Sequence, residues 1–227
     1  MPLVLADLES RLRIDLHDTD ATAYRWTTAD LDRAIDRGVI RYSVVSPMLL
    51  SVTLPTVAQM RTYPVPDGAW WVERVEYPVG LFPRRYVAFA LESPVVAGGS
   101  PSFTMRLGAS RLPVDGSGSI GVHAAYKHQV DASLVTVPAS HIDVVLLGAY
   151  AYCCYAWGTP MADNFLFSDG EMRDRLDDTK VPGAWLKQGD DAYARFLQQL
   201  EEIRRQRDAE TAAVAQWGDV PVRWNRL

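Results

Sequence analysis

Apolar positions along the chain follow three successive patterns: helical spacing, alternation, then helical spacing again. Residues 3–16, "LVLADLESRLRIDL", place Leu5, Leu8, Leu12 and Leu16 three or four apart, which predicts an amphipathic helix. "TTADLDRAIDRGVIRYSVV" predicts a second. Thr27 suits the N-cap, Asp30 three residues on completes a box-like start, and Asp32 sits near the positive end of the helix dipole. Leu31, Ile35, Val39 and Tyr42 form its stripe, and Pro47 ends it. The two helices are expected to pack as a hairpin.

From Leu50 to about Pro138 the pattern shortens. "LSVTL", "RTYPV", "WWVERVEYP", "RYVAFALE", "SFTMRL", "SIGVHAAY" and "SLVTVP" are rich in β-branched and aromatic residues and separated by Pro, Gly, Ser and Asp. Such runs predict an antiparallel β module. In "WVERVEYP" strict alternation would put Trp71, Glu73, Val75 and Tyr77 on one face and Val72, Arg74 and Glu76 on the other. That mixture predicts a sheet with one wet face.

Helical spacing returns at Ser140 in "SHIDVVLLGAYAYCCYAWGTP", with Asp143 as a cap partner. This segment is apolar almost all round, as a central core helix should be, and Gly158 and Pro160 are expected to stop it. Residues 160–187 read as an acidic loop with one helical turn near "EMRDRL". A last helix is expected from Asp190 and Asp191, with Tyr193, Phe196, Leu197, Leu200 and Ile203 as its stripe. Beyond Ile203 the charges can pair along the helix: Glu201 with Arg205, Arg204 with Asp208, Arg207 with Glu210. Each pair adds only ~0.2–0.5 kcal/mol, yet together they let the helix continue to about Val214 with no core beneath it. At 1.5 Å per residue that continuation projects roughly 16 Å.

The expected fold class is therefore α+β: a helical bundle interrupted by an antiparallel β-sheet insertion, with a long C-terminal helix and an extended C-terminal arm. The expected divisions are N-terminal helices over 1–49, the β insertion over 50–138, central and C-terminal helices over 139–214, and the arm over 215–227.

Composition narrows the possibilities. With 48% hydrophobic and 22% charged residues in 227, the chain can bury a sizeable core. Its net charge of −5 argues against broad non-specific binding to DNA or to an anionic membrane surface. The N-terminus has no basic stretch and meets Asp7 and Glu9 at once, unlike a signal peptide. The most hydrophobic run, Val144 to Trp157, falls short of the ~20 residues that a membrane-spanning helix needs. Cys153 and Cys154, adjacent in an apolar stretch, read as buried inert thiols in a reducing compartment.

Candidate chemistry is sparse. "GSGSIG", Gly116 to Gly121, has dinucleotide-binding spacing but a β-like run follows it where that motif needs a helix, and Asp115-Gly116 reads as a hairpin turn. His123 and His128 are five apart, which on one strand sends them to opposite faces. There is no HExxH, no CxxC and no GxSxG, and "DNFLFSDGE" lacks the alternating oxygen ligands of a calcium loop. No cofactor, metal or catalytic residue is expected.

The tail "AQWGDVPVRWNRL" differs from an ordinary frayed terminus. Trp217 and Trp224 are amphipathic anchors, and Arg223 and Arg226 can each make a forked contact with a carboxylate. Val220 and Val222 straddle Pro221, which favours an extended segment. With Asp219 and Leu227 these residues form the candidate partner interface. The alternative is a tail folded back over its own body.

"YRWTTADLDRAIDRGV" resembles the start of head-to-tail connector (adaptor) proteins of tailed bacteriophages, through Trp26, Thr27 and Leu31 in a Trp-Thr-x-x-x-Leu helix start. "RTYPVPDGAWWVERVEYP" is similar to the β segment of the larger members, through Tyr63, Pro66 and Asp67. "HIDVVLLGAYAYCCYAW" is similar to their central helix. The resemblance implies a non-enzymatic virion protein at the head–tail interface, assembled in the host cytoplasm. It further implies a homo-oligomeric, dodecameric ring under the portal protein, with a tail or further connector protein on its other side. DNA would pass through the channel without specific binding, no membrane would be involved, and the C-terminal arm would dock on the portal. Two other readings stand beside it: a β module that binds a carbohydrate or receptor through Trp70, Trp71 and Tyr86, and an enzyme of unknown chemistry.

Overall fold

The computed structural model describes residues 3–92, 100–108, 113, 119–164 and 181–214. The chain divides into two compact units, Met1–Ser46 with His128–Leu227, and Pro47–Lys127. The first holds helices α1 (Leu5–Asp15), α2 (Thr28–Val45), α3 (Ile142–Asn164) and α4 (Val181–Val214), with a 3-10 turn at Ala139–His141 before α3. The second holds strands β1 (Met48–Pro55), β2 (Thr62–Pro64), β3 (Trp71–Glu76), β4 (Tyr86–Val87), β5 (Phe89–Glu92), β6 (Ser102–Met105) and β7 (Ser119–Tyr126). The architecture is α+β, with two small antiparallel sheets inserted between helices of one bundle.

Helix α2 starts as its sequence dictates. Thr27 Oγ1 accepts from the Asp30 N–H at 3.2 Å, and Asp30 Oδ2 accepts from the Thr27 N–H at 3.1 Å, a reciprocal capping box. Leu31, Ile35, Val39 and Tyr42 are all buried, and they pack with Leu8, Leu12 and Leu16 of the α1 segment. The connection between α1 and α2 is built on Asp18, which is only 4% exposed. Its carboxylate pairs with the Arg13 guanidinium at 2.9 Å and accepts from the Arg25 N–H at 2.8 Å and the Trp26 N–H at 3.3 Å. Arg13 also donates to the Trp26 carbonyl at 3.1 Å, so one ion pair supplies the turn with its hydrogen bonds.

Helix α3 is the core element, with Ile142, Val145, Leu146, Ala149 and Cys153 buried among its neighbours. It runs through Gly158 and Pro160 to Asn164 instead of stopping there. A proline inside a helix removes one N–H bond, and the intact bonds on either side carry the helix past it. Helix α4 likewise begins at Val181, earlier than the expected start near Asp190. The turn expected near "EMRDRL" lies outside the described residues. On α4, Phe196, Leu200 and Ile203 are buried, Tyr193 is half-buried, and Leu197 is exposed.

Two glycines fix how near these helices come. A Cβ on Gly38 of α2 would stand 2.8 Å from the Val145 carbonyl oxygen of α3. A Cβ on Gly148 of α3 would stand 2.9 Å from the Phe196 ring of α4. Both distances are closer than carbon tolerates, so each glycine marks a place where the neighbouring helix occupies the space of a side chain.

In the second unit the strand order is β1-β7-β3-β4 in one sheet and β2-β6-β5 in the other. Tyr63, Phe103 and Met105 from one sheet and Val72, Val75, Ile120, Val122 and Ala124 from the other share a core. Strict alternation in β3 fails. Val72 pairs with Ala124 but Arg74 pairs with His123, so Glu73 is an extra residue. This bulge puts Val72 and Val75 on the same buried face. The expected strand at "SLVTVP" is reduced to a single bridge, Val130 with Val135. Asp131 Oδ1 turns this segment by accepting the Ser133 and Leu134 N–H groups, and Val130, Val135 and Val137 pack on the helical core.

The first unit is interrupted between Ser46 and His128, and His128 joins the two ends. Its N–H donates to Ser43 Oγ at 3.0 Å and its Nε2 lies 3.0 Å from the Ser46 carbonyl, so Nε2 carries the proton. Its Nδ1 lies 3.0 Å from Thr136 Oγ1 and its ring centroid 5.3 Å from that of Tyr42, whose hydroxyl bonds His141 Nδ1 at 2.7 Å. Burial holds the His128 imidazole below its ordinary value, and the His141 charge acts the same way; the bonds to Ser46 and Thr136 oppose them.

Two predictions follow the packing and the titration. Gly38→Ala is expected to lower stability by ~1–3 kcal/mol, although alanine favours a helix by ~1 kcal/mol over glycine. Gly183→Ala, where a Cβ meets nothing within 4 Å, is expected to raise it; paired urea unfolding curves measure the difference in sign. Because the folded His128 binds its proton less readily than the unfolded chain, its contribution is complete above about pH 6.5 and is lost as pH falls from there. His128→Gln should flatten the slope of unfolding free energy between about pH 5 and 7 relative to the parent.

Candidate interaction surfaces

Helix α4 separates into two parts. Up to Ile203 it is held by the core, and beyond Ile203 it keeps helical geometry to Val214. The outer part is supported by its own charges. Arg205 Nε lies 3.5 Å from Glu201 Oε1, Arg204 Nε lies 4.0 Å from Asp208 Oδ2, and Arg204 Nη1 lies 3.9 Å from Glu201 Oε2. All are exposed and weak singly. Arg207 donates to the Val45 carbonyl at 3.0 Å, one of the unsatisfied acceptors at the C-terminus of α2. The side chain of Glu210 lies outside the described residues. From Arg207 to Val214 the helix advances roughly 10 Å further. The candidate interface residues Trp217, Asp219, Val220, Val222, Arg223, Trp224, Arg226 and Leu227 all lie outside the described residues.

The aromatic residues of the β unit do not form one platform. Trp70 is exposed and tilts against Trp71 with ring centroids 6.2 Å apart. Tyr86 pairs with Glu76, at the other end of β3 from Trp71. Five residues of strand separate those ends, about 16 Å. Tyr86 instead meets Arg74 at 5.6 Å and His123 at 5.9 Å.

The groups that could carry chemistry are dispersed or inert. His123 belongs to the β unit and His128 to the helical unit, so they share no strand. His123 Nε2 lies 3.8 Å from Glu76 Oε2. Among the described residues no group of three His, Cys, Asp or Glu side chains could hold a metal ion. Burial pushes the Cys153 thiol up to about 12 and the Cys154 thiol up to about 11, which leaves almost no thiolate at neutral pH. Within "GSGSIG", Ser119, Ile120 and Gly121 form part of β7 and not the start of a helix. No described helix is long and apolar enough to cross a membrane.

One surface is not anticipated by hydrophobic periodicity. The loop between β3 and β4 carries Val79, Leu81 and Phe82 into solvent, with Phe82 99% exposed, followed by exposed Arg84 and Arg85. The punctuation of "YPVGLFPRRY" by Pro78, Gly80 and Pro83 marks it as a turn-rich loop, but periodicity carries no information about a tip that belongs to no face.

No family model matches the chain, and no curated protein matches it. Among solved structures it is similar to a chain of a particle neck described as "Neck of empty GTA particle computed with C6 symmetry". The two are 16% identical over 81% of this chain and 88% of that one, with a TM-score of 0.28.

Proposed function

We propose that the chain is a structural protein of the head–tail junction of a tailed-phage-like particle, in which identical copies form a ring beneath the portal and residues 215–227 of each copy dock on it. The observation that carries this reading is the course of α4. It passes Ile203, its last described core residue, carries ion pairs as far as Asp208 and a bond from Arg207 to the Val45 carbonyl, keeps helical geometry to Val214, and leads into a segment rich in Trp and Arg. Among the described residues of this stretch, none after Ile203 belongs to the hydrophobic core. The use of the stretch is to hold a sticky segment at a distance, where another polypeptide can take it. The sequence resemblances around Trp26–Leu31, Tyr63–Asp67 and α3 support a portal as that polypeptide; the neck-particle likeness, at its TM-score, adds no weight.

The mechanism is mechanical. Burying one Trp-sized side chain contributes on the order of 2–3 kcal/mol, and Arg223 and Arg226 add forked contacts to carboxylates. Around a closed ring these modest contacts reinforce one another through effective concentration. The net charge of −5 suits a channel through which DNA slides without adhering. A further connector or tail protein would occupy the opposite face of the ring.

Deletion of residues 215–227 is expected to leave the far-UV circular dichroism and melting transition of the body unchanged while abolishing co-sedimentation with portal rings. A truncated chain that still co-sediments with the portal would overturn the role of the arm.

A further inference from the structure

One edge of the four-stranded sheet is open. In the order β1-β7-β3-β4, strand β1 has β7 on one side and, among the described residues, no strand on the other. An edge strand turns alternate N–H and C=O groups away from its sheet, and these form a template for a further strand. Proteins close such edges with short strands, proline, charge or a bulge. The other described edges conform: β4 has two residues, β2 has three ending in Pro64, and β5 has four ending in Glu92. Strand β1 does not. Its eight residues, Met48–Pro55, carry no charge and hold their only proline at the last position. They pair with β7 in unbroken register, from Met48 with Tyr126 to Pro55 with Ser119.

The side chains of this edge are left uncovered as well. Leu50, Val52 and Leu54 stand opposite Ala124, Val122 and Ile120, the row of β7 that lies in the shared core. Those three β7 residues are wholly buried, whereas Leu50 is 44% exposed and Val52 and Leu54 are half-buried. The core therefore runs out at β1 with apolar surface still in water. On the opposite face Leu49, Ser51 and Thr53 are exposed. A strand that covers this edge needs apolar residues at alternate positions in line with the core row, small polar residues between them, and no charge. The middle of β1 meets that description when read backwards. Leu50-Ser51-Val52-Thr53-Leu54 is a palindrome apart from the exchange of Ser with Thr.

We propose that β1 of one copy pairs with β1 of a second copy, antiparallel, about a two-fold axis at Val52. In that register Leu50 of each copy lies opposite Leu54 of the other, Val52 opposite Val52, and Ser51 opposite Thr53, whose hydroxyls can bond across the strands. Two four-stranded sheets become one of eight, and each core is covered where it now runs out. Each copy carries a net charge of −5, yet this edge brings no like charges together. A slip of one residue would set the apolar row against the hydroxyl row, so the palindrome selects the register as well as the partner. The contact is isologous and closes at two copies. It is therefore distinct from the heterologous contact of a ring and does not rest on that reading. Eight residues make an edge only about 26 Å long, a narrow contact that should come apart on dilution.

The test uses the full chain and its mass distribution by sedimentation velocity across a dilution series. The parent is expected to show a reversible monomer–dimer step. Ser51→Lys with Thr53→Lys, and separately Ser51→Glu with Thr53→Glu, set like charges opposite each other twice, and each pair should weaken the dimer by about tenfold or more. Both positions are exposed, so the melting transition of the dilute chain should hardly move. An equimolar mixture of the two double variants should dimerise where neither does alone. Ser51→Lys with Thr53→Glu faces each new charge with its opposite and should dimerise unaided, a result that belongs to this register. A parent that stays monomeric at its highest soluble concentration would overturn the proposal. So would self-association that the like-charge pairs leave intact, or a weakening that neither the mixture nor Ser51→Lys with Thr53→Glu reverses. None of these outcomes touches the arm, which the deletion of residues 215–227 tests separately.

Discussion

The close approach of α2, α3 and α4 is the constraint on which the helical unit depends. Gly38 lets α2 lie against the α3 backbone at the Val145 carbonyl, and Gly148 lets the Phe196 ring of α4 rest on α3. Surrounded in this way, α3 must be apolar nearly all round, which "VVLLGAYAYCC" satisfies. The seat of Phe196 also sets the register of α4. Leu200 and Ile203 follow one and two turns later on the same face, and the core ends there. One turn further, Arg207 comes within 3.0 Å of the Val45 carbonyl and closes the C-terminus of α2. The length of helix left over after that contact is thus a consequence of packing near the middle of the bundle.

The same unit tolerates a long insertion because it closes its own gap. Ser46 and His128 mark the two ends, and the His128 imidazole bonds the Ser46 carbonyl on one side and Thr136 on the other. The core therefore does not rely on the inserted strands to hold α2 against the segment that leads into α3. Asp18 plays a comparable part at the other end of α2, where one buried ion pair and two backbone bonds shape the connection from α1. Both are polar groups satisfied by partners distant in sequence, and both fix a chain path that apolar contact alone leaves loose.

Features encoded by neighbours a few residues apart were legible in the sequence. The Thr27–Asp30 cap, the Leu31–Tyr42 stripe, β7 at Ser119–Tyr126 and the continuation of α4 to Val214 depend on local periodicity or on short-range side-chain bonds. Features set by the rest of the fold were not. Glu73 becomes a bulge because the sheet core claims both Val72 and Val75, and no window of six residues carries that information. "SLVTVP" has strand composition but lacks a strand to pair with, so its valines pack on helices instead. Pro160 stands inside α3 although it reads as a stop, since a proline costs a helix one N–H bond and does not by itself fix where the helix ends. The tail residues from Trp217 to Leu227 were legible only as composition, and they lie outside the described residues. The loop tip at Phe82 escaped for a related reason: it belongs to neither face of a helix or strand.

These features imply a division of labour within the chain. Among the described residues, the core of the helical unit ends on α4 at Ile203, and the two sheets of the other unit share a core of their own. Other large apolar side chains are scattered over the surface of both units, and Phe82, on a loop tip held by three backbone N–H bonds, is the most exposed of those described. A rigidly presented side chain loses little freedom on binding, whereas an extended tail loses more but can follow a curved or distant surface. In the ring proposed above, such a tail would commit each copy to its partner by weak contacts that become strong only when repeated around the ring.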